Sequence, residues 1–245
     1  SKNAFINCKN IEEIKITNTL PINHPEFPKT NINYSIDLNE FLIKENILVK
    51  YSGVRSQVVI PKSVRAIGEN AFKDCQYITD ILVQEGVRSI CQSAFKNCYN
   101  LKRISLPNSL ENIEKSAFAK CSNLNFLTLP KQITEIKEFT FAFCENMSDI
   151  SLSDKIGSIG KCAFLNCEKL DKISLPQNLI IIEDYAFCNC SLLKEIIFPE
   201  NTREIADTAF EECNNIVFKC SEDSYAELYV MKNQLKARIK CKYCG

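Results

Sequence analysis

The sequence predicts a solenoid of the α/β class, in which short parallel strands and short helical turns alternate coil after coil. Three observations predict it. A unit of 23 residues recurs seven times without a gap between Val58 and Phe218, and a period in this range belongs to stacked coils that cover one another's apolar faces. Each unit opens on alternating apolar residues, usually followed by proline. Each also carries isoleucine at its tenth position and, five residues later, a phenylalanine that precedes a cysteine by three.

The units are Val58–Asp80, Ile81–Arg103, Ile104–Phe126, Leu127–Asp149, Ile150–Lys172, Ile173–Glu195 and Ile196–Phe218. Positions 1 and 3, for example Ile104 and Leu106 or Leu127 and Leu129, give the period-two pattern of a short strand. Pro61, Pro107, Pro130, Pro176 and Pro199 follow at the strand exit, where a missing N–H donor costs nothing and the chain turns. Positions 7 and 10, such as Leu110 and Ile113, predict a second extended segment. The Ala-Phe-x-x-Cys stretch lacks glycine and proline and predicts one helical turn. Its ring fills the inside of the coil, so the seven phenylalanines from Phe72 to Phe210 are expected to form one continuous spine.

Three segments follow from this register. Residues 1–57 read as partial and degenerate repeats, with Ala4-Phe5, Cys8 and Ile11 matching the end of a unit and strand-like starts at Ile14, Ile36 and Val58. Residues 58–218 hold the seven regular repeats, and 219–245 form a C-terminal cap. Within the cap, Ser224-x-x-Glu227 is a capping box ahead of an apolar run. A helix there covers the last coil's core, and Ala237–Cys244 follows as a strand or tail. About ten coils at roughly 4.8 Å each would make a rod on the order of 45–50 Å long.

Composition narrows the function. Thirty basic residues balance thirty acidic ones, so nothing suggests nucleic acid or an anionic membrane as partner. No apolar run reaches the roughly 18 residues of a membrane span, and no membrane insertion is expected of this segment. The chain opens at SKNAF, in the middle of a unit, with no signal peptide; a preceding segment is expected to have been removed. P-loop, dinucleotide and HExxH signatures are absent, and the single histidine, His24, has no partner at catalytic spacing. No catalysis and no cofactor are expected.

Fourteen cysteines invite a disulfide or metal reading. Eight of them, Cys8 and the seven in the repeats, share one position in the unit, which favours a buried column of free thiols acting as small hydrophobes. Cys91, Cys162 and Cys188 fall at three other positions, without an assigned role. Cys241-x-x-Cys244 supplies two zinc ligands and would need Cys220 and one more; a local disulfide or free thiols is the simpler reading. No metal site is therefore assigned. Asn33-Tyr-Ser and Asn146-Met-Ser match glycosylation acceptors, a match short enough to recur by chance.

The pattern I/L-x-L-P-x-x-L-x-x-I-x-x-x-A-F-x-x-C-x-x-L resembles the BspA-type, or Treponema pallidum-type, leucine-rich repeats. The resemblance covers 58–218 fully and 1–57 loosely; Asn46–Phe72 looks like the opening of a repeat block in that family, and Ser221–Asn233 is similar to its closing helix. Phe139-Thr140-Phe141 in place of Ala-Phe, and Thr202 at an apolar position, depart from the pattern. The resemblance implies a right-handed leucine-rich-repeat solenoid in an extracellular or cell-surface protein, with adhesion or host interaction as its role. The expected partner is a protein or glycan, such as host extracellular matrix or another cell. A structural stalk presenting another domain is the alternative.

In such an architecture the residues flanking the inward strand positions face solvent. They form the expected partner-binding ladder: Asp80, Arg103, Phe126, Asp149, Lys172 and Glu195 just before position 1, and Thr128, Ser151 and Ser174 at position 2, continued by Val59, Leu82, Ser105 and Ile197. Mixed charge around an aromatic suits a protein interface. On the opposite rim, Arg65 and Arg88 followed by Glu111 and Glu135 suggest a weak charge gradient.

Overall fold

The computed structural model describes residues 38–235 and 237–240. The expected coils at 1–37, His24, Cys8 and the Cys241-x-x-Cys244 pair lie outside the described residues.

Each coil contributes two strands. The first series is β3 (Gln57–Val59), β5 (Asp80–Leu82), β7 (Arg103–Ser105), β9 (Phe126–Thr128), β11 (Asp149–Ser151), β13 (Lys172–Ile173), β15 (Glu195–Ile197) and β17 (Val217–Ser221). The second is β4 (Ala66–Ile67), β6 (Ser89–Ile90), β8 (Asn112–Ile113), β10 (Glu135–Ile136), β12 (Ser158–Ile159), β14 (Ile181–Ile182) and β16 (Glu204–Ile205). All recorded pairing among them is parallel, and its register copies the repeat: Val58 lies opposite Ile81 and Ile81 opposite Ile104. The isoleucine column pairs likewise through Ile136, Ile159, Ile182 and Ile205. The chain is thus a parallel-strand solenoid with its core enclosed between the two strand series.

The reason for this stacking is the core. Phe72, Phe95, Phe118, Phe141, Phe164 and Phe187 are fully buried. With Phe210 they stack at centroid spacings of 5.0–5.6 Å, within the favourable range for offset rings. The seven rings form the expected spine, and Tyr51 extends it by stacking on Phe72 at 5.0 Å.

The Ala-Phe-x-x-Cys stretch is not a helical turn. Three reverse turns overlap instead: in the first unit Ala71 N–H bonds to Gly68 O, Lys73 to Asn70 O and Cys75 to Phe72 O. The N–H groups between them, of Asn70, Phe72 and Asp74, donate to Gln92, Ala94 and Lys96 of the next coil. Half of the amides are therefore committed sideways, and an α-helical ladder cannot form. The alternation also drives two residues per turn into left-handed φ, among them Asn70 and Asp74 but also Lys120, Phe139, Phe143 and Tyr185. A left-handed Phe or Tyr is costly, and here the neighbouring coils hold it in place.

From Cys98 to Cys213 the cysteine column is as expected, while Cys75 at its first described coil is only half-buried; the column's chemistry is more specific than packing. Cys98, Cys121, Cys144, Cys167, Cys190 and Cys213 are buried and unbridged. Each thiol donates to the carbonyl of the phenylalanine one coil back, at 3.0–3.3 Å. Burial pushes the Cys167 thiol up to about 12. The two departures from the pattern are also satisfied: buried Thr140 and Thr202 donate to Lys137 O (2.8 Å) and Leu179 O (3.4 Å).

Both ends differ from a plain coil. At the N-terminal end, β1 (Phe41–Lys44) and β2 (Ile47–Tyr51) make an antiparallel hairpin, where a degenerate coil is expected. The tight turn comes from Glu45 and Asn46, both at positive φ, while β2 still joins β4 in parallel. At the C-terminal end, Ile196 pairs with Phe218 and Glu195 with Val217. The last coil therefore closes after 22 residues, and Phe218 takes the inward first position of the next coil, within β17, rather than ending a unit. Helix α1 (Tyr225–Lys232) follows, with Ser224 Oγ accepting from Glu227 N–H at 3.1 Å and Glu227 Oε2 accepting from Asp223 N–H at 2.7 Å. Its Ala226, Tyr229 and Val230 are buried, and Tyr229 meets Phe198 and Phe218 edge-on. Finally β18 (Ala237–Lys240) pairs in parallel with β17. No helix among the described residues is long and apolar enough to cross a membrane.

Candidate binding face

The first strand series presents the face on which a ligand would lie. Because strand residues alternate, positions on either side of the buried Ile81, Ile104, Leu127 and Ile150 point away from the core. Pairing lines them up: Asp80 opposite Arg103, Phe126 opposite Asp149, Asp149 opposite Lys172, and Thr128 opposite Ser151.

Two open grooves flank these strands. The leading groove, about 580 Å3, runs along the side where the chain approaches the strands and is lined by Thr79, Asp80, Lys102, Arg103, Asn123, Asn125, Phe126, Asn146, Ser148 and Lys169. The trailing groove, about 950 Å3, follows the strand exits from Leu82–Glu85 through Ser105–Asn108 and Thr128–Lys131 to Ser151–Asp154. The candidate ladder is thus divided. Asp80, Arg103 and Phe126 meet in the leading groove, and Thr128 and Ser151 in the trailing one. Asp149, Lys172, Ser174 and Glu195 line neither; Glu195 bridges to Lys219 at 2.7 Å.

Not every ladder position faces solvent. Asp80 is 8% exposed, because the Arg103 guanidinium lies over it as an ion pair and Thr79 Oγ1 donates to its other oxygen at 2.7 Å. Val59 and Ser105 are also buried. Phe126 is half-buried, while Thr128, Asp149, Ser151, Lys172 and Ser174 are exposed. On the far rim the charges neutralise one another locally: Arg88 pairs with Glu111 at 3.3 Å, and Lys137 bridges Glu114 and Glu135.

A second column, which the strand alternation does not reveal, lies at positions 20 and 22 of the unit. Asn100, Asn123, Asn146 and Lys169 recur in register at position 20, with Asn125 and Ser148 at position 22, and these side chains tie coil to coil. Asn100 Nδ2 donates to Gln76 O (2.7 Å), and Asn146 Nδ2 to Ser122 O (2.8 Å) and Asn123 Oδ1 (3.2 Å). Lys169 Nζ donates to Asn146 Oδ1 at 2.6 Å, and Ser148 Oγ to Asn125 Oδ1 at 3.0 Å. The in-register asparagines were the available signal. On the same rim, Tyr77 is 64% exposed and Tyr99 40%. Among the described residues, no group of three His, Cys, Asp or Glu side chains is placed to hold a metal ion.

Comparison with known proteins agrees with this architecture. A search of curated proteins by sequence found no match. Among solved structures, the chain is similar to a leucine-rich repeat protein of Treponema pallidum, with 24% identity and a TM-score of 0.63 over 82% of this chain and 96% of that one. A leucine-rich repeat protein of Bacteroides ovatus is 25% identical, with a TM-score of 0.59 over 82% and 67% of the two chains. For one from Eubacterium ventriosum the values are 24% and 0.65, over 71% of this chain and half of that one. The sequence matches the BspA type leucine rich repeat region, in six copies, over residues 43–168 and 113–228. The spine, the paired strand columns and this match lead to one conclusion: the chain belongs to the BspA-type leucine-rich repeat family.

Proposed function

We propose that this chain is a non-enzymatic binding module of a secreted or cell-surface protein, which holds a protein or glycan ligand across the strand face between Asp80 and Ser151. Adhesion to host extracellular matrix or to another cell is the role it would serve. The observation that carries this reading is the pair of grooves on either side of the same strands. Their lining includes exposed side chains, Thr128 and Ser151 among them, that the stacking of the coils does not require. A solenoid offers such a surface because its strands repeat side by side without a domain boundary.

The test is binding of the purified chain to immobilised extracellular-matrix glycoproteins and to a glycan panel. A Thr128→Arg/Ser151→Arg variant crowds the face, and Phe126→Ala removes its ring. Binding to a member of either panel, weakened about tenfold by at least one variant with little change in melting temperature, supports the reading. Absence of binding, or binding indifferent to all three substitutions, refutes it.

The stalk reading has its own supporting observation. The aromatic spine runs unbroken from Phe41 through Tyr51 to Phe210, a continuous core suited to a spacer. A stalk predicts no ligand on the face.

A further inference from the structure

The two grooves differ in chemistry. Leu82, Val83, Leu106, Pro107, Leu129 and Pro130 contribute to the trailing groove. Among the described residues, Phe126 is the only apolar one lining the leading groove, and the rest are amides, hydroxyls and charges. Protein partners are anchored by several apolar or aromatic side chains in desolvated recesses, and the leading groove offers a single half-buried ring. Its donors stand instead in rows along the rod, repeated from one coil to the next.

We infer that the leading groove takes an acidic oligosaccharide, a chain of pyranose units bearing carboxylate or sulfate groups laid along the coil axis. This rests on the binding-face reading and names the ligand of one of its grooves. Four observations argue for it.

The first is periodicity. Equivalent residues on successive coils are spaced by the parallel-strand separation, roughly 4.8 Å. A ligand that presents the same group again and again at a similar spacing can satisfy each coil in the same way. Oligosaccharides have this property by construction.

The second is the balance of donors. Asn125 Oδ1 is occupied by Ser148 and Asn123 Oδ1 by Asn146. The Nδ2 groups of Asn123 and Asn125 make no hydrogen bond among the described residues, so both of these amides keep their donors unspent while each acceptor oxygen already holds one partner. Lys102 is exposed and makes no ion pair among the described residues. A groove rich in unspent N–H groups selects a ligand rich in oxygen acceptors.

The third is charge. Asp80 is held by Arg103, so the remaining charges lining the groove are those of Lys102 and Lys169. The chain as a whole has a net charge of zero, so this is a local excess. Asp149, one strand beyond Phe126, is exposed but does not line the groove. A carboxylate or sulfate gains charge-assisted hydrogen bonds from the lysines, and their exposure makes that gain sensitive to salt.

The fourth is the aromatic component. The half-buried Phe126 ring offers a flat apolar surface beside the amides, suited to the C–H face of a pyranose. Tyr99 and Tyr77 carry exposed rings further along the rim, which would lengthen the track for a longer chain.

The experiment is isothermal titration of the whole chain with heparin-derived, hyaluronan and polygalacturonate hexasaccharides. Neutral cellohexaose and a hexaglutamate peptide serve as comparisons. The expected result is that at least one acidic hexasaccharide binds about tenfold more tightly than either comparison and weakens as salt rises. Lys102→Ala/Lys169→Ala should abolish most of that advantage, and Phe126→Leu should reduce it severalfold. Lys131→Ala in the trailing groove should leave it unchanged. Hexaglutamate binding equally well would overturn the sugar assignment in favour of unspecific polyanion attraction. Equal binding of cellohexaose would overturn the acidic requirement, and wild-type affinity in the double lysine variant would overturn the location. If no hexasaccharide binds while the matrix glycoproteins still do, this inference fails and the binding-face reading stands. If neither binds, both fail.

Discussion

Replacing Phe141 by alanine tests how the rod coheres. The ring is fully buried and lies 5.6 Å from Phe118 and 5.5 Å from Phe164, nearly parallel to both. Truncating a buried phenylalanine costs about 3–5 kcal/mol in lost transfer energy and cavity formation. In a domain whose whole stability is about 5–15 kcal/mol, that is a large share. The consequence goes further in a solenoid, because coils interact only with their neighbours. Phe141 belongs to two such interfaces, so both weaken together and the coil of Leu127–Asp149 becomes the weakest point of the array. Urea unfolding followed by far-ultraviolet circular dichroism should show a lower midpoint and a broadened, less cooperative transition. Native-state hydrogen exchange should lose protection first at Phe118, Phe141 and Phe164 amides, which donate from coil to coil. Phe141→Leu, which keeps most of the bulk, should cost less. A loss below about 1 kcal/mol with unchanged cooperativity would refute the claim that the spine is the main coupling between coils.

Three further outcomes are expected. Arg103→Ala should destabilise the fold by about 1–2 kcal/mol in thermal unfolding, because it leaves the Asp80 carboxylate nearly buried with Thr79 as its remaining side-chain partner among the described residues, while the half-exposed guanidinium limits the loss; Asp80→Asn/Arg103→Ala together should recover part of it. In the native protein, Cys121, Cys144 and Cys167 should resist a thiol reagent and react only on unfolding, since burial raises all three thiols; mass spectrometry of the labelled chain reads this directly. The cap should respond to acid: Lys232 beside Asp207 holds that carboxyl below its ordinary value. A depressed folded value means that the contact stabilises fully above the ordinary carboxylate range and is lost as pH falls through the folded value. Helix α1 should fray there, and Asp207→Asn should remove that step in pH-dependent NMR of its amides.

Much of the fold could be read from spacing alone, and the reason is physical. A residue at a fixed place in every coil is buried by its own copies, so the isoleucine, phenylalanine and cysteine columns repeat visibly in the sequence. What depends on one coil's relation to the next was harder to see. The left-handed turns were hidden because Lys120, Phe139 and Tyr185 occupy positions where isolated chains prefer asparagine or glycine; the conformation comes from sideways hydrogen bonds. The 22-residue last coil was hidden because Val217 and Phe218 are both plausible strand residues. At the candidate site, the strand ladder was legible from its alternation, but the burial of Asp80 was not. It requires the side chain of Arg103, 23 residues away, to fold over it. The asparagine column was in plain view, yet its meaning depends on which amide atoms the neighbouring coils have already claimed.

The turns on the far side of the rod have a last consequence. Their awkward dihedrals are imposed by adjoining layers, so many residue types are accommodated there at differing cost: Asn, Asp, Ser, Lys, Phe, Cys, Tyr and Glu all occur. Where such a position is exposed, as at Asn70, Asp74 and Lys120, it can be rewritten by drift or by design, one layer at a time, while the strands opposite keep their alignment.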